Sequence, residues 1–421
     1  MSTSLLSQGE LIALAARARS VERAAVVPSR SRSPVHVVYG GAHLFSRDVL
    51  AKMQKLAVAA FDTYASTPAD LADAMGMPLA SAELVHQRVR DKLVREPVED
   101  LRVDFEDGYG PRPDEEEDAH AVRAGVELKA AYAAGLAPFR VGVRPKALSG
   151  ASIDRALRTL DRFFSSLGDV PPGFVVTLPK VEHPEIVAIA ADVLDQLEAR
   201  LGASTGAARL ELMIETPESL IDREGRVALG ALVAAGRGRV SGVHLGAYDL
   251  TASAGVAASA QRLGHPLCHA ARGLMQLALA GSSIEIADGA TTTMPIGPHR
   301  GADLSDAERL DNRDVVRGAW RLAYANVRRA LDDGIYQGWD LHPAQLPARY
   351  AATYAFFREG LADATARLRA FTDRAAQATR VGAQFDDAAT GRGLVAFFER
   401  GRATGALSAD EGPSLDHLPK Y

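Results

Sequence analysis

The stretch Glu211-Leu212-Met213-Ile214-Glu215-Thr216-Pro217-Glu218-Ser219 decides how the chain is read. Leu210, Leu212, Met213 and Ile214 make an apolar run of strand length that stops on a carboxylate, and Thr216-Pro217 breaks the strand behind it. An ionised carboxylate at the end of a buried strand costs on the order of several kcal/mol unless it meets a metal, an arginine or a proton. Glu215 is therefore a candidate ligand or proton-transfer group.

Outward from this strand, apolar runs alternate with longer amphipathic segments. The spacing predicts strands at 35–40, 100–105, 139–143, 173–178, 209–214, 240–245, 283–287 and 336–341. Helices are expected at 44–64, 115–134, 153–167, 184–201, 218–235, 265–280, 313–333 and 346–368, where apolar residues recur at threes and fours. Strand and helix alternating eight times is the pattern of an α/β protein with a (β/α)8 TIM barrel. A doubly wound sheet would gather its ligand site near one glycine-rich turn, whereas here polar residues are spread over many strand ends.

Three parts exceed a minimal barrel. Residues 1–34 read as an arm and linker with a helix at 4–25, and 67–97 as an insertion between the first and second strands with a helix at 80–95. After the barrel at 35–372, residues 373–421 read as a helical extension whose helix at 393–401 carries Phe397 and Phe398, a pair suited to packing or subunit contact. The acidic run 114–118 reads as a helix N-terminus, where carboxylates complement the helix dipole.

Composition narrows the function. A chain of 421 residues with 47% hydrophobic content and a net charge of −5 argues against nucleic acid or an anionic membrane as the main partner. Cys268 is the single cysteine, which excludes an internal disulfide and a cysteine-rich zinc site and fits a reducing cytoplasm. No apolar run approaches the ~20 residues of a membrane span, and the N-terminus lacks the features of a secretory signal.

Catalytic groups in such barrels come from the C-terminal ends of several strands. Here those ends offer Tyr39, Gly40, Gly41 and His43; Asp104, Glu106 and Asp107; Arg140, Arg144 and Lys146; Lys180 and Glu182; Glu215; Gly246, Tyr248 and Asp249; Asp288 and the loop through Gly297, His299 and Arg300; and His342. So many carboxylates on one rim call for a cation. Hard oxygen donors without a thiol or histidine cage favour Mg2+, with Mn2+ as a substitute. Glu215 and Asp249 are the expected metal pair, and Arg144 the expected bidentate partner of a substrate carboxylate. A small 2-oxo acid chelating that ion through carboxylate and carbonyl oxygens would have its enolate stabilised, which is what making or breaking the adjacent C–C bond requires. Gly40, Gly41, Gly246, Lys180 and His342 are expected to line the substrate site.

These strand ends resemble the HpcH/HpaI aldolase and citrate lyase β-subunit superfamily, which includes malyl-CoA lyases. Asp104-Phe105-Glu106-Asp107-Gly108 is similar to its Asp-Leu-Glu-Asp-Ala motif, Val143-Arg144-Pro145 to its arginine segment, and Leu178-Pro179-Lys180 to its Pro-Lys segment. Ile214-Glu215-Thr216 is similar to its metal-ligand glutamate segment, Leu245-Gly246-Ala247-Tyr248-Asp249-Leu250 to its Leu-Gly-x-x-Asp-Leu motif, and Gly338 to Gln345 to its closing His-Pro-x-Gln motif. Arg144-Pro145-Lys146 also resembles a segment of malate synthases. The resemblance implies a magnesium-dependent lyase or aldolase that forms or cleaves a 3-hydroxy acid or its CoA thioester. It further implies a homo-oligomer, with a general base supplied from a neighbouring subunit's lid. The chain departs from the pattern at Pro145-Lys146 and Gln337-Gly338-Trp339, and it carries Glu106 and Asp107 where HpaI-type aldolases place a histidine base. Glu106, Asp107 and Asp288 are the base candidates in this chain.

Other motifs point nowhere else. There is no phosphate loop, dinucleotide fingerprint or nucleophile elbow. His265 and His269 read as surface or packing residues, Cys268 as a small buried residue, and Lys180 as ion-paired rather than a Schiff-base lysine. Two alternatives stay open: phosphoryl transfer on pyruvate or phosphoenolpyruvate at the same metal site, and a non-catalytic regulatory barrel.

Overall fold

The computed structural model describes residues 7–21, 32–373, 379–381, 384–386 and 388–415. Helix α1 (Gln8–Val21) precedes strand β1 (His36–Gly41), which leads into α2 (Val49–Tyr64) and two inserted helices, α3 (Pro68–Met75) and α4 (Leu79–Arg95). There follow β2 (Asp100–Asp104), α5 (Asp114–Ala133), β3 (Arg140–Arg144), α6 (Ile153–Leu167), β4 (Val175–Leu178), α7 (Pro184–Leu201) and β5 (Arg209–Ile214). Two short helices, α8 (Pro217–Leu220) and α9 (Leu229–Ala235), lead to β6 (Val240–Leu245), α10 (Ala247–Ser253), α11 (Pro266–Leu279) and β7 (Glu285–Asp288). The chain continues through α12 (Asp306–Asp332), β8 (Gln337–Asp340), α13 (Leu346–Asp373), a small hairpin of β9 (Thr379–Val381) and β10 (Gln384–Asp386), and α14 (Ala388–Ala403).

Strands β1 to β8 close in sequence order into a parallel barrel, with β1 pairing both β2 and β8. The expected TIM barrel is thus the observed fold. Along β5, Leu210, Leu212 and Ile214 join the apolar layer between sheet and helices, while Glu211 and Met213 meet partners across the barrel interior. That period of two carries the next residue, Glu215, to the same inner side at the mouth.

The interior is ionic below the mouth. The fully buried Arg102 guanidinium bonds Glu211 at 2.6 Å and also pairs with Asp100. His244 Nε2 lies 3.3 Å from the same Glu211, and its Nδ1 is 2.8 Å from Tyr39 Oη. Burial alone would raise the Glu211 carboxyl, but Arg102 and His244 hold it well below the usual range.

Three expectations need correction. The helix read at 218–235 is broken, because Asp222 accepts the backbone N–H groups of Glu224 and Arg226 and Gly225 turns the chain at φ 78°. The insertion holds two helices where one was expected: Thr67 caps α3, and Gly76 ends it in the left-handed region. Arg140, grouped with the mouth residues, begins β3 at the opposite end and bonds Glu285 at 2.7 Å. Of the arm expected at 4–25, α1 covers Gln8–Val21; residues 1–6 and 22–31 lie outside the described residues.

The additions pack onto the outside of the barrel. Helix α4 lies against α13, and Arg317 of α12 bonds Asp70 of α3 at 3.0 Å. In α14, Phe398 is fully buried and the Phe397 ring lies 5.2 Å from that of Phe357 of α13, tilted against it, so this aromatic pair packs within the chain. Glu411 pairs with both Arg88 of α4 and Arg358 of α13. Among the described residues no helix is long and apolar enough to cross a membrane.

Candidate active site

The strand ends surround a cavity of about 770 Å3 lined by residues of β1, β2, β3 and β8 and by the turns after β6 and β7. Arg144 anchors it. Its Nε and Nη2 donate to the two carboxylate oxygens of Asp104 at 2.6 and 2.7 Å, and its guanidinium lies 4.7 Å from the Tyr39 ring and 5.2 Å from the Trp339 ring. The fork expected to take substrate is therefore held by Asp104. Only Nη1 is left without a hydrogen bond, 3.5 Å from Glu106. Asp104 also accepts the backbone N–H groups of Glu106 and Gly108, so one carboxylate fixes both the arginine and the turn carrying Glu106 and Asp107.

Lys180 draws the remaining acids together. Its ammonium bonds Glu106 and lies 3.9 Å from both Asp107 and Asp249, while its backbone N–H donates to Glu215 at 2.7 Å. Four carboxylates from three strand ends thus meet around one residue. The lysine is ion-paired as expected, but with Glu106; Glu182 is exposed. Lys180 adopts φ 51°, a left-handed backbone that glycine would take more readily.

Electrostatics differentiates these acids. Burial raises the Glu106 carboxyl, yet Arg144 and Lys180 outweigh that and hold it below the usual range. Asp107 is pushed up to about 6, first by burial and then by Glu106 beside it. Glu215 is pushed up to about 7 by burial, with Asp249 adding to the effect.

Glycines make room for the carboxylates. A Cβ on Gly246 would sit 2.4 Å from Glu215 Oε2, and one on Gly108 would sit 2.6 Å from Asp104 Oδ2. Gly41 is excluded from carrying a side chain by the Gly108 carbonyl at 2.4 Å; Gly40 would meet only the Met53 methyl at 3.7 Å.

The structure gathers Gly40, Gly41, Asp107, Arg144, Gly246, Asp249 and His342 on one cavity, with Glu215, Glu106 and Lys180 joined to them by the contacts above. His342 faces the cavity but spends Nδ1 on the Ala344 N–H, and burial lowers its pKa. Asp288 is not in the group: it bonds Arg272 at 3.0 Å and the Gly289 N–H, which removes it as a base candidate. Lys146 is tied to the Phe105 carbonyl and Glu117. His265 caps α11, His269 contacts Arg272, and burial pushes the Cys268 thiol up, so none of these three forms a second site. Sequence reasoning missed the clamp on Arg144: Tyr39 and Asp104 were visible at strand ends, but nothing in their spacing assigned them to the arginine.

The two carboxylates nominated for a metal suit a hard cation. Glu215 is almost completely buried, its Oε2 accepts no hydrogen bond among the described residues, and Asp249 is near enough to raise its pKa. Among the described residues no group of three or more His, Cys, Asp or Glu could hold an ion. A pair completed by water and substrate oxygens is what magnesium uses.

The closed eight-stranded barrel has the fold of solved citrate lyase structures. A citrate lyase from Burkholderia xenovorans LB400 aligns with 20% identity and a TM-score of 0.60 over 92% of this chain and 97% of its own. CitE from Mycobacterium tuberculosis, solved with magnesium, acetoacetate and coenzyme A, aligns with 18% identity and a TM-score of 0.52 over 89% and 100%. Such identities establish the fold alone. Residues 14–418 match the family described as a domain of unknown function, DUF6986, and the chain belongs to that family. None of the curated proteins compared with the chain matches it.

Proposed function

We propose that this protein is a magnesium-dependent carbon–carbon lyase or aldolase, with Mn2+ as a possible substitute, acting on a 3-hydroxy acid or its CoA thioester and releasing or condensing a small 2-oxo acid. One observation carries this reading: Lys180 touches Glu106, Asp107, Asp249 and Glu215 beside an arginine that is already neutralised by Asp104. Acids so crowded around one ammonium leave an excess of negative charge that a divalent cation relieves. Glu215 and Asp249 would hold it; when bound, it would polarise the carbonyl of a 2-oxo acid and favour its enolate.

The chain's own groups divide the remaining work. Arg144, locked by Asp104 and flanked by two aromatic rings, keeps one buried donor, Nη1, unspent and would supply a fixed positive charge at the substrate-carboxylate end of the cavity. Asp107, at about 6 and half exposed on the cavity wall, is suited to accept a proton near neutral pH. Glu106 stays ionised and holds the Lys180 ammonium beside it. Phosphoryl transfer gains no supporting observation.

The neighbour from M. tuberculosis, solved with magnesium and acetoacetate, supports a metal and a small carboxylic acid at this site. A cytoplasmic homo-oligomer remains part of the proposal. Screening 3-hydroxy acids, free and as CoA thioesters, for release of a 2-oxo acid with and without Mg2+ tests the reading. Product formation that is independent of metal and survives Glu215→Ala would overturn it.

A further inference from the structure

The cavity is larger than a small acid needs, and its excess is apolar. A volume of about 770 Å3 lies within the range that encloses ligands of drug size. The acids and Arg144 form one part of the lining, whereas Leu44, Val49, Met53 and Leu56, on α2 and the turn before it, and Met294 after β7 form another. Several of these apolar side chains are uncovered: Leu44 is 67% exposed, Leu56 49% and Met294 36%. Uncovered apolar groups gathered at the mouth of a pocket mark a surface that a ligand or a neighbouring subunit covers, and their continuity with the acid-lined part of this cavity favours the ligand.

Charge limits what that ligand carries. The ionic groups lining the cavity are Asp104, Asp107, Asp249, Arg144 and Lys52, and Arg144 is consumed by Asp104. Among the described residues Lys52 is thus the one lining cation not paired with a carboxylate, too little to receive a polyphosphate within this space.

Resting on the lyase reading, we propose that the acid processed at this site carries a hydrocarbon chain of several carbons directly on its skeleton, lying against Val49, Met53 and Leu56 of α2. The acid head is held at the Arg144 end. Gly40 faces the Met53 methyl, which a Cβ added there would meet at 3.7 Å, so the methionine forms the wall at this point.

The test is equilibrium binding of unbranched 2-oxo acids, from pyruvate to 2-oxooctanoate, to the full chain with Mg2+. Each added methylene should tighten binding by roughly three- to fourfold until the wall is covered, and Met53→Trp or the exposed Leu56→Asp should flatten the series. A flat or reversed series in the wild-type protein overturns the proposal. So does a gain seen only when the same chain is carried as a CoA thioester. The two readings fail separately. If pyruvate binds through Mg2+ and Glu215 but the series is flat, the chain proposal falls and the lyase site stands. If the series is steep yet indifferent to Mg2+ and to Glu215→Gln, the apolar subsite stands and the metal reading falls.

Discussion

Asp104 holds Arg144 by two parallel hydrogen bonds of 2.6 and 2.7 Å in a place where the arginine side chain is only 1% exposed. A buried guanidinium deprived of its partner is an uncompensated charge. Asp104→Ala should therefore lower unfolding free energy in urea by about 3–5 kcal/mol. Asp104→Asn, which keeps the volume and one acceptor, should cost less while still loosening Nη1, seen as a raised KM for the acid.

Glu215→Gln and Asp249→Asn should each lower kcat by at least about 10²- to 10³-fold, by analogy with the loss of an oxyanion donor. Both should abolish any rise in Tm on adding Mg2+.

Without metal, the raised Glu215 pKa means the folded state keeps its proton between the ordinary value of 4.5 and about 7, where the unfolded chain has lost it. Stability of the metal-free protein should thus fall as pH rises through that window. Mg2+ needs the ionised form, so its stabilisation should be larger at pH 8 than at pH 5.5. Thermal scans at both values, with and without Mg2+, check the sign.

Gly246→Ala places a methyl 2.4 Å from Glu215 Oε2, and Gly40→Ala places one at ordinary contact distance from Met53. The first should cost about 10²-fold or more in kcat by displacing the carboxylate, and the second should stay within roughly threefold. Similar losses from the two would show that the Glu215 position does not govern activity.

Glu411 bridges Arg88 and Arg358, and although burial opposes it, the Ser408 backbone N–H and side chain and then Arg358 lower its carboxyl to about 2. A depressed acid contributes stability that is present above its ordinary 4.5 and is lost as pH falls toward 2. Glu411→Gln should cost about 1 kcal/mol at pH 7, after allowance for solvent screening, and the gap should close on acidification. A gap that persists at pH 2 would point to packing instead.

The barrel was legible because strand and helix periods differ and recur in order; the bounds of β5, β6, α6 and α7 agree with the residues read from sequence. Local chemistry that breaks a period was less legible. Asp222 and Gly225 interrupt what looked like one helix because Asp222 captures backbone N–H groups, a bond invisible to apolar spacing. At the site, residue types and strand ends pointed to Glu215, Asp249 and Arg144. Which acid pairs with which base depends on cross-barrel geometry, so Asp104 as the arginine's partner, Asp288 as a structural acid and the Tyr39–Trp339 clamp emerged only from the fold.

Lys180 sits with its backbone in a left-handed conformation while its side chain holds Glu106 and its amide holds Glu215. Glycine at this position would relax the main chain and keep the amide contact, yet it would delete the ammonium on which the acids converge. Relief of that strain is worth about 1–3 kcal/mol, whereas the acids left without their counter-charge would cost at least as much, so a library sorted only for thermal endurance should keep the lysine, as one sorted for turnover would.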